Sequence, residues 1–297
     1  MDTIGNKYIG QITAILHHIN MMVQCDWRNS DINAFENTTT IEALAKISGM
    51  SKRNLHIYFA AYTNETVGQY KNRIRLEYAL QLLKEGKYTQ SEIAARIGLA
   101  NDTALYNIFR RKLNTTPANY KARFLIEPVI IEVPDIDCKI VDLPETPVLF
   151  LSHIGNYNDY ASAIFEKDSW DKLYGYALKN NLLPEIEEYW GICYDDVGIT
   201  DTERCRFYAC MTIARPIKSR LTDEVKCMTL PIHKYAVYTH KGSYSELDSF
   251  YKAILLNIPS GYILGEGLIL ERYLNSPNDI NESELVTEIL LPIAKVK

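Results

Sequence analysis

The chain has 297 residues, 47% of them hydrophobic and 23% charged, a length that suggests two domains or one large one and a composition ordinary for globular protein with a sizeable core. Its net charge of −5 speaks against nucleic acid only if it is spread evenly, and it is not. Residues 1–125 hold 16 Lys and Arg against 10 Asp and Glu, a balance of +6, whereas residues 126–297 hold 16 against 27, a balance of −11. One half is suited to a polyanion and the other to a different task. No run approaches the roughly 18 apolar residues of a spanning helix, and Met1-Asp2-Thr3-Ile4-Gly5 does not begin a secretion signal, so a cytoplasmic protein is expected. The six cysteines form no C-x-x-C pair and are expected to be reduced and structural.

In chain order, the basic half first aligns with itself at an offset of 50 residues. Thr39 falls on Thr89, Glu42 on Glu92, Ala45 on Ala95, Ile47 on Ile97, Leu55 on Leu105, Phe59 on Phe109, Asn64 on Asn114, Thr66 on Thr116, Tyr70 on Tyr120 and Lys71 on Lys121. Each copy opens with T-x-x-E (Thr39…Glu42, Thr89…Glu92), the pattern of a capping box at a helix start. A short apolar stripe, a glycine turn (Gly49, Gly98) and a Ser or Asn cap (Ser51, Asn101) follow, then a second helix with Leu55, Tyr58, Phe59 and Tyr62 or Leu105, Ile108, Phe109 and Leu113 inward. Helix, tight turn, helix is the helix-turn-helix plan. Between the copies, Glu65 to Gly86 reads as one long helix with the cations Lys71, Arg73, Arg75 and Lys84, and Lys87 just beyond. Such a connector holds two recognition helices about one DNA turn, roughly 34 Å, apart.

Past Glu127-Pro128 and Val133-Pro134 the texture changes, placing the junction near residues 125–135. Strands are expected at Lys139–Leu143, Val148–Ser152, Tyr189–Tyr194, Phe207–Ile213, Val225–Leu230, Tyr235–His240, Leu268–Tyr273 and Val286–Leu291, with helices at about Asp159–Asn180 and Ser245–Leu256. A second repeat has an offset of 87: H-x-G-x-Y occurs as His153-Ile154-Gly155-Asn156-Tyr157 and as His240-Lys241-Gly242-Ser243-Tyr244. The expected architecture is therefore multidomain: an all-α double helix-turn-helix domain over 1–125, then an α+β domain over 129–297 of two pseudo-symmetric strand-helix-strand-strand halves.

Two resemblances attach to these residues. Residues 41–124 resemble the AraC/XylS family DNA-binding domain, through Ile41-Glu42-Ala43-Leu44-Ala45, Ser51…Leu55…Phe59, Arg75-Leu76-Glu77…Leu82-Leu83, Ile93-Ala94…Gly98 and Phe109 with Thr116-Pro117…Tyr120. The resemblance implies a helix around Tyr8–Gln24, with Ile9, Ile12, Leu16, Ile19 and Val23 on one face, at the start of this domain, and a loop over Asp26–Thr38 longer than the family usually has. By position in that motif, Lys52, Arg53, Asn54, His56 and Ile57 of the first copy and Asp102, Thr103, Tyr106 and Asn107 of the second face DNA bases, while Arg110, Arg111 and Lys112 meet phosphates. Residues 129–295 resemble the GyrI-like effector-binding domain, through both H-x-G-x-Y segments, Trp190-Gly191-Ile192…Tyr194-Asp195-Asp196, Cys205–Cys210, Glu271…Tyr273-Leu274 and Glu288-Ile289…Pro292-Ile293. That resemblance implies a cleft for amphipathic aromatic or cationic molecules with an acidic residue of the E-x-Y-L segment at the ligand.

Strand alternation puts Ile269, Glu271 and Tyr273 on one face, and Trp190, Ile192 and Tyr194 on one face of theirs. With Tyr157, Tyr244 and Phe150 these are the candidate ligand residues, the competing reading of Glu271 being a salt bridge, for example with Arg206. No metal-ligand cluster, P-loop, Ser-His-Asp order or cofactor motif appears, so neither cofactor nor catalysis is expected. The leading expectation is a regulator that binds promoter DNA and a small effector. The alternatives are a ligand-independent regulator contacting RNA polymerase or another protein, and a pocket hydrolase using Glu271.

Overall fold

The computed structural model describes residues 6–25, 32–122, 136–160, 163–220, 222–265 and 267–296. The chain forms two compact units, Met1–Ile131 and Glu132–Lys297. The expected junction at 125–135 lies outside the described residues.

The first unit is helical: α1 (Asn6–Cys25), α2 (Ile32–Thr38), α3 (Ile41–Ser48), α4 (Lys52–Thr63), α5 (Val67–Glu85), α6 (Gln90–Arg96), α7 (Asp102–Leu113) and α8 (Pro117–Ala122). Ile12, Ile15, Leu16 and Ile19 of α1 are buried, as a helical stripe should be. The second helices of the two copies, α4 and α7, share their starts and stops to the residue at the offset of 50. Gly49 and Gly98 both take left-handed backbone (φ 64° and 73°) at the turn, where a side chain would be strained. Ser51 and Asn101 accept from the backbone N–H three residues on and cap α4 and α7. Asn64 and Asn114 end those helices in left-handed conformation (φ 55° and 49°). Edge-to-face pairs lock each second helix to the next one, Phe59 on Tyr70 (5.4 Å) and Phe109 on Tyr120 (6.0 Å).

Two expectations are corrected here. The first T-x-x-E forms no capping box: Thr39 is buried and donates to the Phe35 carbonyl at 2.6 Å, Thr40 is the cap of α3, and Glu42 pairs with Lys52. Thr89 and Glu92 do form the box. The loop expected over Asp26–Thr38 contains α2, anchored by the fully buried Phe35; residues 26–31 of it lie outside the described residues.

The second unit contains β1 (Cys138–Leu143), β2 (Thr146–Ile154), α9 (Tyr157–Tyr160), α10 (Ala163–Lys179), β3 (Tyr189–Cys193), β4 (Arg206–Thr212), β5 (Lys226–Leu230), β6 (His233–Lys241), α11 (Leu247–Leu255), β7 (Tyr262–Leu264), β8 (Ile269–Tyr273) and β9 (Val286–Lys295). The sheet runs β1-β6-β9-β8-β3-β4-β2-β5, all antiparallel, with β7 also on β9. β2 and β6 are the same strand 87 residues apart; β3 and β8 are the same strand 80 apart.

The connections force the sheet to curl. β1 and β2 stand six places apart, about 29 Å on a flat sheet, yet Pro144 and Glu145 alone join them, a span of at most about 10 Å. Pro231 and Ile232 repeat the arrangement between β5 and β6. Accordingly, one buried cluster draws on all eight strands of the path and on no helix, with Leu143, Phe150, Trp190, Tyr208, Leu230, Tyr235, Leu270 and Leu290 among its members. The outer face carries two further clusters, one under α10 with Leu173 and Ala177, the other under α11 with Ile254. Among the described residues no helix is long and apolar enough to cross a membrane.

Candidate functional site

The two halves of the second unit meet where β3 pairs β8, and Gly191 lies directly opposite Glu271. These two residues are also equivalents in the duplicated chain, 80 apart, so the pair sits on the pseudo-twofold axis. Glu271 occupies the outer face, between the regions covered by α10 and α11, and is only 6% exposed. Its carboxylate is held from three sides. Tyr251 of α11 donates to Oε1 at 2.8 Å, Tyr273 to Oε2 at 2.6 Å, and the Cys193 thiol to Oε1 at 3.4 Å. Burial, reinforced by the Glu271 charge, pushes the Tyr251 and Tyr273 hydroxyls and the Cys193 thiol well above their usual ionisation ranges, so all three remain donors at neutral pH.

Among the described residues no cation pairs with Glu271. Arg206 is buried against Asp195, donating from Nη2 to Oδ1 at 2.5 Å. Arg272, next in sequence, points through the other face to Glu288 and, at 3.1 Å, to Glu188. The salt bridge weighed for Glu271 is thus not formed. A buried carboxylate satisfied only by neutral donors has spare attraction for a cation.

Gly191 makes this arrangement sterically possible. A Cβ there would stand 2.5 Å from the Tyr273 hydroxyl and 2.8 Å from the Phe207 ring. The absence of a side chain lets the Tyr273 ring lie over β3 and reach the carboxylate. Around it stand aromatic rings from both halves: Trp170 of α10 at 5.9 Å and Tyr244 at 5.6 Å from Tyr273. Tyr157 belongs to the same side, packed on Phe207 (6.3 Å). Its hydroxyl is committed to backbone, donating to the Arg206 carbonyl and accepting from the Asp195 N–H, both at 3.0 Å.

Of the seven ligand candidates, Glu271, Tyr273, Tyr244 and Tyr157 therefore come together, and Phe150, Trp190 and Tyr194 do not. Phe150 and Trp190 are fully buried inside the curled sheet, and Tyr194 packs on Tyr208 of that same core at 4.7 Å. The reason is register: pairing 191 with 271 sets Trp190 opposite Arg272, and the odd residues of both strands share the outer face. Gly191, Cys193, Trp170 and Tyr251 escaped sequence reasoning. Tyr251 carried a signal, being four residues after Leu247 on the apolar stripe of its helix.

In the first unit every candidate DNA-facing residue is exposed or, for Asn54, half-exposed: Lys52, Arg53, His56 and Ile57 on α4, and Asp102, Thr103, Tyr106, Asn107, Arg110 and Arg111 on α7. Ile57 (52% exposed) and Tyr106 (44%) are the only large hydrophobic side chains so exposed among the described residues of this unit. The cations of α5 divide differently. Lys71 and Arg75 pair with Glu36, and Arg73 with Glu65 and Glu77, so these three brace the fold instead of facing outward.

The comparisons with known proteins come to the same two units. A family model described as a GyrI-like small molecule binding domain matches residues 136–294, and a helix-turn-helix domain model matches residues 44–123. The chain is 31% identical over 86 residues to the HTH-type transcriptional regulator AlkR of Acinetobacter baylyi (29% of this chain, 28% of that one). It is 34% identical over 80 residues to the HTH-type transcriptional activator RhaS of Salmonella arizonae (27% and 29%). The match thus spans under a third of these relatives' length. Among solved structures, the EcmrR C-terminal domain is similar at 19% identity and a TM-score of 0.43, over 54% of this chain and 99% of that one. With more than half of its length matched by that model, and a helix-turn-helix domain ahead of it, the chain belongs to the GyrI-like small-molecule-binding domain family.

Proposed function

We propose that the chain is a ligand-responsive transcription regulator, acting in the cytoplasm, whose first unit binds promoter DNA and whose second unit binds a small aromatic cation. The observation that carries this reading is the buried Glu271 carboxylate, with no cation paired to it among the described residues, bound by Tyr251 and Tyr273, with Trp170 and Tyr244 packed on Tyr273 and Tyr157 on the neighbouring Phe207. A bound cation gains a desolvated opposite charge together with cation–π contact. In the first unit, two equivalent helices present polar groups and isolated apolar contacts outward, as groove-reading helices do. The base-facing set is Lys52, Arg53, Asn54, His56, Ile57, Asp102, Thr103, Tyr106 and Asn107, with Arg110 and Arg111 on phosphates. The ligand shifts transcription to the extent that it binds the competent arrangement more tightly than the other.

Calorimetry of the full chain with aromatic quaternary ammonium ions, set against neutral aromatics of the same shape, tests the ligand half. The cations are expected to bind at least about tenfold more tightly to the natural chain than to the Glu271→Gln variant. Equal binding of cation and neutral isostere, or no change in Glu271→Gln, refutes it.

A further inference from the structure

The duplication of the second unit singles out a residue that the ligand reading leaves unused. Past β3 and β8 the offset of 80 persists: the short turns Thr202–Arg204 and Glu282–Glu284 precede β4 and β9, Cys193 lies opposite Phe207, and Tyr273 lies opposite Thr287. Cys193 is thus the equivalent of Tyr273, and Phe207 of Thr287. A small residue facing a large one in the first half becomes a large one facing a small one in the second. Three of the four have evident tasks. Cys193 and Tyr273 donate to Glu271, and Phe207 packs within the cluster under α10. Thr287 is 0% exposed, and its hydroxyl meets no hydrogen-bond partner among the described residues.

That hydroxyl is placed to meet a ligand. Side chains alternate along a strand, so Thr287 leaves β9 on the outer face, together with Ile289 and Leu291 of the cluster under α11. It stands between Tyr273 of β8 and His240 of β6. Glu271 lies opposite Ile289, which makes Thr287 its diagonal neighbour across the strand pair, roughly 7–8 Å away. The flanking side chains are engaged elsewhere: the Tyr273 hydroxyl donates to Glu271, and His240 Nε2 lies 3.3 Å from the Ser243 carbonyl. Packing alone would be served by valine, which has the same shape without the cost of an unpaired buried hydroxyl. We infer that Thr287 is a specificity-determining residue of the Glu271 site, hydrogen-bonding a neutral oxygen group that the effector carries roughly 7–8 Å from its cationic centre. The inference rests on the ligand reading above. The group is neutral because Glu271 repels an anion so close to it, and threonine brings no charge to offset a second cation. A hydroxyl both donates and accepts, so alcohol, phenol and carbonyl oxygens all suit it.

The test is calorimetry of the full chain with phenethyltrimethylammonium and with its 4-hydroxy analogue, which carry the same charge and differ by one hydroxyl at the far end of the ring. The natural chain is expected to favour the hydroxylated cation by about 3- to 10-fold. Thr287→Val should erase that preference while binding the parent cation within about twofold of the natural chain, and Thr287→Ser, which keeps the oxygen, should retain it. Because valine removes an unpaired hydroxyl, Thr287→Val should melt at the temperature of the natural chain or above it. Binding of both cations without preference, or a preference that survives in Thr287→Val, overturns the inference while the ligand reading stands. A Thr287→Val melting temperature lowered by more than about 3 °C overturns it too, by showing that the hydroxyl already serves the fold. Binding of neither cation removes both the inference and the reading beneath it.

Discussion

Replacing Gly191 by alanine puts the geometry of the second unit to its hardest test. The added methyl would lie 2.5 Å from the Tyr273 hydroxyl and 2.8 and 3.0 Å from two atoms of the Phe207 ring. Neither neighbour yields freely: Phe207 is 4% exposed within the α10 cluster, and the Tyr273 hydroxyl is bound to Glu271 at 2.6 Å. Overpacking of a well-filled core costs about 1–3 kcal/mol, and losing a hydrogen bond to a charged acceptor about 1.5–3 kcal/mol. The expected destabilisation of the second unit is therefore about 3–5 kcal/mol. Urea unfolding of the full chain, followed by fluorescence of Trp170 and Trp190, reads it, because Trp170 lies 5.9 Å from Tyr273. Adding Tyr273→Phe removes the oxygen but not the Phe207 contact, so the double variant should regain about half of the loss relative to Tyr273→Phe alone. A Gly191→Ala cost below about 0.5 kcal/mol, or no coupling to Tyr273, would refute the packing described.

Other outcomes follow from the same structure. Thr89→Ala should destabilise the first unit by about 1 kcal/mol and Glu92→Ala by less, whereas Glu42→Ala, outside any capping box, should be nearly neutral in thermal unfolding. Asn64→Ala and Asn114→Ala should each cost about 1–2 kcal/mol, since alanine is strained in left-handed backbone, and the glycine variants should be tolerated. Burial, with Lys172 nearby, holds the His153 pKa down at about 4. The unfolded chain, titrating near 6.5, then binds more protons in between, so stability is full above about pH 6.5 and falls by up to about 3 kcal/mol as pH drops to about 4. Denaturant midpoints across that range should flatten in His153→Gln; an unchanged slope would assign the effect to other groups.

The sequence made the periodic part of this protein legible and left the tertiary part hidden. Eight strands and the two helix-turn-helix units are readable because alternation, caps and turn glycines are local signals. Strand β7, three residues long, is too short to alternate. Helix α2 has one strongly apolar anchor, Phe35, and is further secured through Glu36 by Lys71 and Arg75, 35 and 39 residues away; nothing local marks it. The same limit governs the ligand site. Alternation correctly groups Glu271 with Tyr273 and Trp190 with Ile192, but which group of β3 faces Glu271 depends on the pairing of 191 with 271. A one-residue change of register would have delivered Trp190 to the carboxylate instead of Gly191.

In both units the two copies build the frame by agreeing, and the candidate sites lie where they differ. Had position 191 kept a carboxylate like its equivalent 271, two like charges would face each other across the pseudo-twofold axis, where one of them would be driven to hold a proton. Glycine there removes the repulsion and at the same time opens the space that Tyr273 fills. The first unit shows the same logic in charge: Lys52 and Arg53 against Asp102 and Thr103 give two equal frames unlike outward faces. Gly191→Glu is the variant that tests it most directly for the second unit. It should displace Tyr273 and force the introduced carboxylate to share a proton with Glu271 at neutral pH. One carboxyl of the pair then titrates higher in the folded chain than in the unfolded one, while His153 contributes alike to both proteins, so the stability of the variant relative to the natural chain rises on acidification toward about pH 5. A difference between the two that stays flat or falls with falling pH would show that the two positions do not face each other.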